Sequence, residues 1–135
     1  MKDLNEFIEK LVEIRFVEGS NAFGHYPFQL YVELLDGKVE MNALLLGGNV
    51  KSVYNRVKQY VLKGFKRLYL SVDFPAVLDI EHDFVCAFSI ENDKLTILAI
   101  PYDTETGDIF ERITNSKALT TLLQEFKLNT NFKEV

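Results

Sequence analysis

The sequence predicts an α+β fold: one mostly antiparallel sheet of five to six strands covered by three helices, in the order α-ββ-α-βββ(β)-α. Three patterns predict it. Apolar residues recur at helical spacing in three separate segments, runs with strand character lie between those segments, and tight-turn signals at Asp36-Gly37 and Asn92-Asp93 join neighbouring runs. Strands linked so closely pair antiparallel with one another, and amphipathic helices must cover the sheet they form, read here as one helical layer on one sheet.

The first helix is expected over residues 3–18. Leu4, Phe7, Ile8, Leu11, Val12 and Ile14 fall on one side at a 3.6-residue period, while Glu6, Glu9, Lys10 and Glu13 fall on the other. Asp3 and Glu6 make a D-x-x-E capping pattern, and Gly19 suits a helix end. Residues 19–27 read as a loop rich in small and aromatic side chains. Strands follow at 28–35 and 38–46, joined by Asp36-Gly37, a dipeptide that suits the positive φ angles of a type I′ hairpin. Gly47-Gly48-Asn49 then breaks the second strand. Asn49 is placed to cap a helix reaching Lys63, with Val50, Val53, Tyr54, Val57, Tyr60 and Val61 as its buried stripe and Gly64 beyond its end.

Residues 66–74 are rich in strand formers, and Pro75 closes them. The runs 83–91 and 94–102 are apolar at successive positions, so both are expected as central strands covered on each side. A loop at 103–107 leads to a short strand at 108–113, and a last helix spans 115–126 with Ala118, Leu119, Leu122, Leu123 and Phe126 inward. The polar residues 129–135 read as a frayed tail. No repeat, low-complexity tract or Pro/Gly/Ser linker divides the chain, which is therefore expected to be one domain over residues 1–135.

At 135 residues, with 47% hydrophobic and 26% charged side chains, the chain has an ordinary globular balance. A chain of this size buries roughly 65–70% of its unfolded surface, so neither disulfide nor metal is needed for stability. Cys86 is its single cysteine and cannot bridge within the chain. With no charged-then-apolar leader at residue 1, the reading is cytoplasmic. Apolar runs such as 43–46 and 96–100 are far shorter than the roughly 20 residues of a membrane span.

The net charge of −5 hides a strong segregation. Residues 49–72 carry six bases and no acid, whereas 73–113 carry ten acids and two bases. Overall acidity argues against a general nucleic-acid binder, which normally carries an excess of basic charge. Opposite-sign blocks instead suit attraction within the fold, to a protein partner or to a second copy.

Four constellations bear on chemistry. Asp73, Asp79, Glu81, His82 and Asp83 form the densest polar cluster, and several oxygen and imidazole donors there could hold a divalent cation that activates water. Their spacing matches neither a calcium loop nor H-E-x-x-H, so a solvated loop between buried strands is the simpler reading. On the second helix Lys51, Arg56, Lys58 and Lys63 occupy the arc left by the apolar stripe, a basic face suited to an acidic partner. Phe23, His25 and Tyr26 cluster in a loop where aromatic groups could anchor a partner, and a small-ligand pocket beside residues 23–28 is a weaker alternative. Gly47-Gly48-Asn49-Val50-Lys51 precedes a helix in the geometry of an anion site, but lacks the P-loop spacing. No G-x-S-x-G elbow occurs, and Cys86 lies between apolar neighbours.

The reading that fits this sequence best is a small non-enzymatic binding or regulatory module of the inhibitor, immunity or chaperone-like kind. It would act on a protein partner or by self-association, without a cofactor. The alternative is a metal-dependent hydrolase or nuclease using the 73–83 cluster.

Overall fold

Every side chain from Phe84 to Ile90 is buried, and this double-sided burial organises the layers around it. A computed structural model describes residues 3–17, 28–44, 50–74, 83–103 and 108–134, with side chains at all of these except 11–17, 42–44, 73, 74 and 83. The elements are α1 (Leu4–Val17), β1 (Phe28–Glu33), β2 (Val39–Leu44), α2 (Val50–Lys63), β3 (Arg67–Phe74), β4 (Asp83–Glu91), β5 (Lys94–Tyr102) and α3 (Lys117–Thr130). They form one five-stranded sheet in the order β2-β1-β3-β4-β5. All neighbours are antiparallel.

Alternation along each strand divides the apolar side chains between two faces. Leu30, Val32, Leu68, Leu70, Val72, Phe84, Cys86, Phe88 and Ile90 share one core with α2 and α3, where Phe88 stacks on Phe126 at 4.6 Å. Tyr31, Tyr69, Val85, Ala87, Ile100 and Tyr102 form a second core with Phe7 and Ile8 of α1. The expectation of a single helical layer is therefore corrected. Strands apolar on both faces need cover on both, so α1 lies on one side of the sheet and the α2–α3 pair on the other. Phe7 reaches the buried Tyr69 ring at 5.7 Å, and Tyr31 stacks on the same ring at 5.6 Å. On α1 the backbone N–H of Glu6 donates to Asp3 Oδ1 at 3.0 Å, as the D-x-x-E pattern implies.

The turn at Asp36-Gly37 differs from the type I′ expected there. At β1–β2, Gly37 alone has positive φ (89°), Gly37 N–H donates to Leu34 O at 3.0 Å, and Leu34 N–H donates to Lys38 O at 2.8 Å. This is a three-residue turn with a left-handed glycine, not a type I′ pair, and the Asp36 carboxylate accepts from Lys38 N–H at 2.9 Å. The turn with both central residues left-handed is Asn92-Asp93 (φ 52° and 60°), between paired Glu91 and Lys94. Asn and Asp tolerate that conformation better than other side-chained residues.

Residues 108–113 do not make a sixth strand. They meet β5 through two isolated bridges, Ala99 with Ile113 and Tyr102 with Ile109, and Phe110 N–H donates to Pro101 O at 2.9 Å. β5 is thus the last strand of the sheet, although its outer edge is occupied. The C-terminal helix starts two residues later and ends four residues later than expected. Ser116 caps it, its hydroxyl accepting from Leu119 N–H at 3.2 Å, and Asn131 ends it in the left-handed conformation.

The frayed tail is also corrected. Phe132 is 7% exposed within the α2–α3 core. Beyond it Lys127 Nζ lies 2.7 Å from Glu134 Oε1, and this bond, supported by Leu95 N–H, holds the Glu134 carboxyl below its usual range. Phe132→Ala should cost about 3 kcal/mol in urea unfolding, the scale of a large-to-small core change. Leu128→Ala, at a residue 78% exposed, should cost less than about 0.5 kcal/mol. Equal small effects would show that the tail does not pack.

Candidate functional site

The basic residues of α2 fall on two flanks and do not form one surface. Val53, Tyr54, Val57 and Tyr60 are buried. At about 100° per residue this stripe leaves Arg56 and Lys63 on one side of it, Lys51 and Lys58 on the other. Tyr54 meets Phe126 edge-on at 5.6 Å, so the flank of Lys51 and Lys58 is the α3 side. Arg56 and Lys63 instead line an open groove of about 340 Å³ between α2 and β2, together with Glu40, Gln59, Tyr60 and Leu62. The Tyr60 hydroxyl donates to the Glu40 carboxylate at the base of this groove. Tyr54 and Tyr60 point inward, as the periodicity implies.

The groove opens at the outer edge of β2, the first strand of the sheet. Leu34 N–H points to Lys38 O, whereas Gln29 N–H donates to Ser71 Oγ and Glu33 O accepts from Lys66 N–H on the opposite side of β1. Antiparallel alternation carried through the β1–β2 register therefore turns the backbone groups of Glu40 toward β1 and those of Val39, Met41 and Ala43 outward. Among the described residues no strand pairs with that outer edge. Val39 (51% exposed) and Met41 (48%) project on the α1 side of the same strand, since they sit opposite Glu33 and Tyr31.

A second constellation escaped sequence reasoning. Glu33, Arg67, Glu91 and Lys94 align across β1, β3, β4 and β5 in one cross-strand row. Arg67 Nε lies 3.2 Å from Glu33 Oε2, Arg67 Nη1 lies 3.5 Å from the Tyr69 hydroxyl, and that hydroxyl donates to Glu91. Next to the row is a shallow cleft of about 540 Å³ that also involves Phe65, Lys66, Asn92 and Asp93. Glu33 and Arg67 pair directly and Glu91 is joined to them through the Tyr69 hydroxyl, an arrangement that fastens strand ends, an exposed ion pair stabilising by at most about 1 kcal/mol. Only the alternate-residue placement of charges signalled it, and register was needed to join four strands.

Phe23, His25, Tyr26, Asp79, Glu81 and His82 lie outside the described residues, as do Gly47, Gly48 and Asn49. Of Asp73 and Asp83 the backbone is placed, opposite Val85 and Tyr102 respectively. Among the described residues no group of three or more His, Cys, Asp or Glu is set to hold a metal. Cys86 is fully buried on the α2–α3 face. Ser71 Oγ accepts from Gln29 N–H at 3.0 Å, and Ser89 shares a 2.7 Å hydrogen bond with Thr96. Tyr102 and Phe132 belong to the cores, while Phe110 is 40% exposed. No helix among the described residues is long and apolar enough to cross a membrane.

Burial raises the Tyr54 phenol well above its ordinary 10.0, with the Glu125 charge adding to the effect. Its hydroxyl has no hydrogen-bond partner among the described residues. A phenol whose folded pKa is raised supports folding fully below its unfolded value, and that support is lost as pH climbs from 10.0 toward the folded value. Tyr54→Phe should therefore keep or raise the Tm at pH 7 and retain more stability than the parent above pH 10. A drop of several degrees at pH 7 would instead reveal a bonded hydroxyl.

Set against known proteins, the chain matches no family model, no curated protein and no solved structure.

Proposed function

We propose that this chain is a cytoplasmic, non-enzymatic module that acts by binding another protein, in the manner of an inhibitor, immunity protein or chaperone. The observation that carries the reading is the concentration of exposed apolar side chains along one edge of the sheet, on both of its faces. Among the described residues seven large hydrophobics are exposed, and four of them, Leu35, Val39, Met41 and Leu62, lie on β2, its turn or the facing end of α2. Leu35 also reaches across to within 3.1 Å of where a side chain at Gly64 would begin. Apolar groups scattered singly need no explanation, but exposed apolar groups on both faces of one edge that no described strand pairs with, with bases beside it, are the surface expected of a binding protein.

Segregated charge supports the same reading, because bases beside an apolar edge steer an oppositely charged partner. Quantitative affinity capture from a native lysate, with Met41→Lys and Leu128→Lys as matched variants, tests it. The parent and Leu128→Lys should retain one saturable partner. Recovery of no saturable protein by the parent chain, together with a strictly monomeric mass across concentration, would contradict the proposal.

The binding reading also expects indifference to cations. A melt with Mg²⁺, Mn²⁺, Zn²⁺ or Ca²⁺ against EDTA should leave Tm unchanged, whereas a site occupied at 100 times its Kd would add about 2.7 kcal/mol. A shift of several degrees, abolished by Asp79→Ala with Asp83→Ala, would transfer the function to metal-dependent hydrolysis.

A further inference from the structure

We infer that the outer edge of β2 is a strand-docking site for an extended acidic segment of a partner protein, a proposal that rests on the protein-binding reading above. The backbone supplies the attachment. Val39, Met41 and Ala43 turn their N–H and C=O groups away from β1, so an incoming extended chain can pair with them and continue the sheet as a sixth strand. The far edge cannot do this in the same way, because residues 108–113 already occupy the outside of β5 through Ala99, Pro101 and Tyr102.

The side chains specify the occupant. Successive residues of a docked strand alternate between the two faces of the sheet. On one face they enter the groove between α2 and β2, where Arg56 and Lys63 stand at the wall and Tyr60 holds Glu40 below. On the other they lie over the half-exposed Val39 and Met41. Two bases against one carboxylate, Glu40, which already accepts from Tyr60, leave the groove side with an excess of positive charge, and with apolar surface on the other side they select a segment that alternates carboxylate and aliphatic residues. α2 contains four bases and no acid, so its field favours the same charge.

A second copy of this chain fits less well. Pairing two β2 edges about a two-fold axis would set Arg56 and Lys63 of one copy across the seam from the same residues of the other. An acidic segment brings the opposite charge to that seam.

The test uses the full chain and a short fluorescent peptide of alternating Val and Glu, followed by anisotropy and by backbone amide shifts. Binding should be saturable, should weaken as salt rises, and should move the amides of Val39 and Met41. The Arg56→Glu, Lys63→Glu double variant should weaken it by about tenfold or more, since like charges then face the peptide carboxylates. Met41→Pro removes an outward N–H that makes no bond to β1, a place where an edge strand tolerates proline, and should abolish binding while the melt stays cooperative. A peptide N-methylated on alternate residues should not bind. Equal binding of a Val-Lys peptide, or amide shifts elsewhere with Val39 and Met41 unmoved, would overturn the docking site. Concentration-dependent dimerisation blocked by Met41→Pro would also overturn it, because the edge would then belong to a second copy. Undiminished partner capture by the Met41→Pro and Arg56→Glu, Lys63→Glu variants would overturn this site alone and leave the protein-binding reading standing.

Discussion

The constraint on which the rest of this structure depends is the burial of β4 on both faces. An uninterrupted buried run from Phe84 to Ile90 leaves no side of that strand for water, so apolar cover has to arrive from above and below. One helix supplies one side through Phe7 and Ile8, and two supply the other through α2 and α3. Burying each large apolar side chain contributes about 1.5–3 kcal/mol, which makes the two cores the dominant favourable term. The Arg67–Glu33 ion pair at the end of the sheet adds little by comparison.

That division of cover also bears on the β2 edge, with which no strand among the described residues pairs on its outer side. Five strands spaced about 4.8 Å apart are wider than one helix, and on the α2–α3 side the pair packs together, joined by the Tyr54–Phe126 contact. α2 meets β2 through the Tyr60–Glu40 hydrogen bond, beside a groove between helix and edge strand. The opposite edge is handled differently, since the segment after β5 folds back along it. Natural sheets rarely leave an edge flanked by apolar groups unless something covers it, and the proposed function follows from that asymmetry.

Much of the fold was legible because local chemistry and tertiary packing agree. Periodicity marks α2 within a residue, and the apolar runs mark β4 and β5 at their observed limits. Layer number was misjudged, although the double-sided apolar character of β4 and β5 already demanded helices on both faces. Turn types were less legible: Asp36-Gly37 is permissive for type I′ but the chain uses only its glycine in the left-handed region, and Asn92-Asp93 lacks glycine yet carries both positive φ angles. The tail was misread because composition is silent on one anchored aromatic, Phe132, among polar neighbours. Of the site, the bases of α2 were visible, but their split between two flanks required knowing which side α3 takes. The groove with Glu40 joins residues far apart in the chain, and no local pattern announces it.

The most direct measurement of this account is amide hydrogen exchange on the free chain at concentrations where it is monomeric. The outward amides of Val39 and Met41 should exchange fast while their inward neighbour Glu40 is protected, and Ile113 at the covered edge should be protected as well. Slow exchange at Met41 equal to that at Glu40 in the monomer would contradict the account, because the edge of β2 would then be closed by the chain itself.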